Sequence, residues 1–94
     1  MSTFAQRAFT ELTQAKKDFG EYTYHDKGAY EVMDVSSLVR ELEQMTVEQA
    51  GTQLVKLSEM EDTKTLMYDL ISDLDTWDKF DQLMDTFPAL KKYY

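Results

Sequence analysis

The chain has no cysteine, one proline, one histidine, one tryptophan and three glycines in 94 residues. Without cysteine there is no disulfide framework and no thiolate-based zinc or iron–sulfur site. Disulfide-free chains of this size suit a reducing compartment, so a cytoplasmic location is expected. The glycines stand only at 20, 28 and 51, too scattered to build a phosphate-cradling loop. Long apolar runs are also missing. The longest is Leu66-Met67-Tyr68, three residues against the ~20 of a membrane helix. The first residues carry one arginine and no apolar core, which does not read as a secretory signal.

Basic charge is the next deficit. Ten Lys and Arg face eighteen Asp and Glu, a formal net charge of -8. Such a balance opposes direct contact with nucleic acid or an anionic membrane, both of which need a basic footprint. It suits a protein partner with a basic surface, and it also serves solubility. The excess is uneven. Residues 1–30 are neutral, whereas 31–60 and 61–94 each carry -4. From Glu59 to Asp85 there are nine acids and only Lys64 and Lys79.

Leu, Ile, Val and Phe make up 21 of the 94 residues, just above the roughly 20% below which charged chains stay disordered. A domain of this length buries only about 60–65% of its unfolded surface, so a single thin core across 1–94 is expected.

The apolar pattern is helical. Phe4, Ala8, Phe9, Leu12, Ala15 and Phe19 gather on one face of a helix from about Ser2 or Thr3 to Phe19, with Gly20 placed to end it. At 21–34, Tyr22, Tyr24, Tyr30 and Val32 alternate with polar residues around Asp26-Lys27-Gly28. That fits a short β-hairpin or an ordered loop, so the fold class is mainly α with α+β as the alternative. Ser36 or Ser37 can cap a helix to about Met45. Thr46-Val-Glu-Gln49 is a capping box opening a further helix to about Glu59. Gly51 lies inside it at a cost of about 1 kcal/mol against alanine, which points either to a close helix–helix approach or to a tolerated weak residue.

The last third cannot be one straight helix. At 100° per residue, the apolar stripe of Leu66 to Leu74 and that of Trp77 to Phe87 differ by roughly 100°. A break near Asp75-Thr76 follows, either residue serving as a cap. Pro88 should stop the second helix at Thr86-Phe87. Beyond it, Pro88 to Tyr94 reads as a last turn or a loose tail. Four or five short helices result.

Chemistry-bearing constellations are scarce. His25 has no cysteine partner and sits in an apparent turn, and the serines lie at cap-like positions rather than in a nucleophile elbow. Asp73-x-Asp75-x-x-Asp78 lacks the glycine and the twelfth-position glutamate of a calcium loop. No catalytic residue, metal ligand or cofactor is therefore expected, and the chain reads as a non-enzyme. Asp69, Asp73, Asp75, Asp78, Asp81 and Asp85 fall opposite the apolar stripes and form the candidate partner-binding surface. Spaced carboxylates on a rigid support can imitate a row of phosphates and occupy a basic groove meant for nucleic acid. Small phage-encoded inhibitors work in that way. This chain shares their size and sign, without a shared motif. The tyrosines, Trp77 and six methionines suggest the alternative, a self-associating structural subunit.

Overall fold

In the computed structural model the described residues are 3–19 and 34–94, and they are mostly helical, with short turns between the helices and no strand among them. The expected hairpin or loop at 21–34 lies outside them apart from Asp34, as do Gly20 and His25.

Helix α1 is Phe4–Phe19. Thr3 and Gln6 close its start reciprocally: Thr3 Oγ1 accepts from the Gln6 amide at 3.2 Å, and Gln6 Oε1 accepts from the Thr3 amide at 3.1 Å. A third orphan donor, the Ala5 N–H, is met from across the fold by Gln53 Oε1 at 3.1 Å. Ala5, Ala8 and Ala15 are buried beside Phe4 and Leu12. Small side chains on this face let the backbones of α1 and the helix below it lie close.

Helix α2 is Val35–Glu43 and starts earlier than Ser36 or Ser37 would cap it. The cap is Asp34, whose carboxylate accepts from the Ser37 amide at 3.0 Å and the Ser37 hydroxyl at 2.8 Å. A carboxylate takes both donors at once and suits the positive helix start better than a hydroxyl. Those bonds, the amide foremost, hold the Asp34 carboxyl below its ordinary pKa. Its contribution to stability is therefore present above the ordinary carboxylate range and fades as pH falls through the lowered value. Arg7 of α1 reaches across to Glu41 with both terminal nitrogens, and that hydrogen bond holds the guanidinium still more firmly protonated.

Helix α3, Val47–Ser58, opens on the expected capping box: Thr46 Oγ1 accepts from the Gln49 amide, and Gln49 Oε1 from the Thr46 amide, each at 3.1 Å. It ends in a turn through Asp62, which adopts a left-handed φ of 58°. Lys16 of α1 donates to the Asp62 carbonyl at 3.3 Å. Thr63 precedes α4, Lys64–Leu74, but does not cap it. Its buried hydroxyl points backwards, toward the Leu57 carbonyl at 2.9 Å and the Met60 carbonyl at 3.0 Å, and so closes the end of α3. Thr63→Val keeps the shape and removes that bond. It should lower the unfolding free energy by about 1 kcal/mol in a denaturant titration.

The break after Leu74 is present. The chain turns through 75–79 on backbone bonds, Trp77 N–H to Leu74 at 2.9 Å and Phe80 N–H to Trp77 at 3.0 Å. Helix α5 begins only at Phe80 and runs to Thr86. Asp75 ends α4 instead of opening α5, and neither it nor Thr76 caps the new helix. Trp77 is buried beneath the turn, and α5 starts without a side-chain cap. Pro88 stops α5 as expected and starts a 3-10 helix, Pro88–Tyr93.

Helix α3 is the hub, touching α1, α4, α5 and the 3-10 helix, while α2 packs on α4. Leu54, Leu57, Leu66, Met67, Leu70, Ile71, Leu74 and Leu83 are wholly buried between them. The Cα radius of gyration is 12.5 Å, close to the roughly 12 Å of a compact chain this long. Among the described residues no helix is long and apolar enough to cross a membrane.

Candidate functional site

Helix α4, the turn at 75–79 and α5 carry the six aspartates singled out by sequence. Five of them, Asp73, Asp75, Asp78, Asp81 and Asp85, are exposed. Their support is rigid, because Leu70, Ile71, Leu74, Trp77, Phe80, Leu83 and Met84 lie buried directly beneath. The two short helices therefore present their carboxylates from one bent, anchored unit. Among the described residues none of the five stands in an ion pair, so their charge is open to a partner.

Asp69 is the exception and a correction. It is only 6% exposed and is engaged within the fold, so it does not belong to the exposed set. The reason lies in how α4 is packed. Its contacts with α2, α3 and the 3-10 helix bury Leu66, Met67, Asp69, Leu70, Ile71 and Leu74. A helix enclosed from several sides has no single apolar stripe. The face opposite the strongest hydrophobics is then buried as well.

Asp73 is partly shielded from solvent. Partial desolvation first, and repulsion from Asp75 second, push its carboxyl above the ordinary pKa. Asp73 thus takes up a proton earlier on acidification than an ordinary carboxylate, and the native state gains from that uptake. This is opposite in sign to the Asp34 cap. Asp81 and Asp85 are four apart on α5, which places their Cβ atoms about 5–6 Å from each other on one side of the helix. No group of three or more histidine or carboxylate side chains among the described residues is arranged to hold a metal ion.

The surface next to the aspartates includes the C-terminal segment, where the last turn, one of the two readings expected for Pro88 to Tyr94, is present. Lys91-Lys92-Tyr93-Tyr94 is not a loose end. Leu90 and Tyr93 are buried, and the Tyr93 ring meets Tyr68 edge-on at 5.4 Å and 81°. The signal was available: Leu90 and Tyr93 lie three apart behind an initial proline, the period of a 3-10 turn. Around this pair run two adjoining depressions of about 630 and 560 Å³, both lined by Lys64, Tyr68 and Tyr93. Beyond Tyr94 lies a shallow notch of about 500 Å³ lined by Phe80, Asp81, Met84, Asp85, Lys91 and Tyr94.

The chain matches no family model, no curated protein and no solved structure. The reading of its surface therefore rests on chemistry and geometry.

Proposed function

We propose that the protein is a small non-enzymatic interaction protein that binds a basic surface of another protein through Asp73, Asp75, Asp78, Asp81 and Asp85. The observation that supports this reading is five exposed carboxylates, without ion-pair partners among the described residues, above a buried core. A basic groove that normally holds nucleic acid is the complementary surface, and occupying it would inhibit its owner. The buried core beneath the turn at 75–79 favours such a role, since charges held on packed elements lose less entropy on docking than mobile ones.

The alternative, self-association through surplus apolar residues, has weaker support. Trp77, Phe80, Met67 and Tyr93 are buried, and among the described residues the one large hydrophobic left exposed is Tyr94.

The test uses the wild-type protein and Asp78→Lys/Asp81→Lys/Asp85→Lys as paired baits. A partner held by the wild type should be released as salt rises. The charge-reversed bait should bind it on the order of 100-fold more weakly, from about 1 kcal/mol per reversed charge. Its far-UV circular dichroism should match the wild type, because all three side chains are exposed. Equal binding by both baits, indifferent to salt, would overturn the proposal.

A further inference from the structure

The acidic surface reading leaves open what kind of side chain the partner offers. The notch between α5 and the 3-10 helix narrows the choice. Its floor is apolar and aromatic: Phe80 and Met84 are each 7% exposed, and Tyr94, 73% exposed, stands against Phe80 with ring centroids 5.1 Å apart at 54°. Its rim carries two carboxylates, Asp81 and Asp85, and one ammonium, Lys91, a net charge of -1. None of these three groups stands in an ion pair among the described residues. We propose that this notch receives an arginine side chain of the basic partner, with Asp81 and Asp85 taking the guanidinium and Tyr94 flanking its plane.

The chemistry favours arginine over lysine. A bare row of carboxylates attracts either cation. A planar guanidinium is weakly hydrated, pairs with a carboxylate through two parallel N–H donors, and stacks on an aromatic ring. An ammonium is a strongly hydrated point charge and gains less from a half-apolar recess. The arginine stem would also lie along the Tyr94 ring, the large hydrophobic left exposed among the described residues. Lys91 opposes the guest by like charge, so its removal should help.

The inference rests on the acidic-surface reading, and its test separates the two. The probes are fluorescently labelled oligo-arginine and oligo-lysine peptides of equal length, titrated by polarisation at low salt. The arginine peptide should bind tighter by a factor of roughly 2–5, the worth of an exposed cation–aromatic contact. Tyr94→Ala should remove that preference and Tyr94→Phe should keep it, which separates the loss of the ring from a disturbed fold. Asp81→Asn/Asp85→Asn should remove it too, while Asp73→Asn/Asp75→Asn weakens both peptides and leaves the ratio unchanged. Lys91→Ala should tighten the arginine peptide about two-fold, by the modest scale of surface charge pairs. Equal binding of the two peptides, or a preference that survives Tyr94→Ala, would overturn the notch and leave the acidic surface standing. Absence of binding by either peptide would overturn both.

Discussion

Gly51→Ala is expected to destabilise the protein by up to about 2 kcal/mol, although helix propensity alone predicts a gain of about 1 kcal/mol. Gly51 is buried in the middle of α3, and the Phe87 ring lies directly on it. A Cβ built there would meet Phe87 Cε2 at 2.0 Å, Cδ2 at 2.1 Å and Cζ at 2.6 Å. No carbon contact is that short, so the ring must leave. Its retreat is restricted, since the Phe87 amide donates to the Leu83 carbonyl at 2.9 Å and Pro88 follows directly. Overpacking of this kind costs about 1–3 kcal/mol, which outweighs the propensity gain. The sign should reverse in a Phe87→Ala background, where the space is empty and the alanine helix preference acts alone. A double-mutant cycle by urea denaturation reads that coupling directly. A stabilised single mutant would mean that the ring is not seated on Gly51 in solution.

The same contact shows what the sequence could and could not disclose. A glycine inside an otherwise regular helix signals a close neighbour, because no local reason keeps it there. It does not say which neighbour. The expected partner was another helix, whereas the occupant is a single ring from the end of α5. The bend at 75–79 was legible for a stronger reason. Two apolar stripes with incompatible phase cannot share one straight axis, whatever the rest of the fold does. The Thr46 box was legible because both partners lie within four residues.

What escaped sequence reading depends on tertiary enclosure or on competition between local options. Asp69 looked solvated because helical phase records the strongest apolar stripe and not the number of neighbours a helix acquires. Asp34 won the cap of α2 over Ser36 and Ser37 because a carboxylate can accept from the Ser37 amide and hydroxyl together. Thr63 faces backwards to α3, a choice set by the left-handed turn at Asp62 rather than by Thr63 itself. The candidate surface was legible in its charge, and burial takes Asp69 out of the exposed set.

Trp77→Ala should have the largest effect, a loss of about 3–5 kcal/mol of stability. The total available to a domain this long is only about 5–14 kcal/mol, so the variant should unfold at much lower denaturant. Trp77 is the one large side chain within the turn at 75–79, and it is buried there. It belongs to the buried core beneath the turn, where the backbone between α4 and α5 makes only turn bonds. Removing it leaves a cavity under the turn and frees the two helices to change their relative angle. Asp73 and Asp75 lie on one side of that joint, and Asp78, Asp81 and Asp85 on the other. Their mutual spacing is therefore expected to depend on how Trp77 is buried beneath the turn. If a rigid row of carboxylates is what a basic partner reads, Trp77→Ala should weaken partner binding several-fold even where the variant remains folded. The charge-reversed triple mutant should show the complementary result, with stability nearly unchanged and binding lost. Calorimetric titration of both variants against the same partner distinguishes the two effects. Undiminished binding by folded Trp77→Ala would show that the aspartates act as independent charges, without need of the fixed bend.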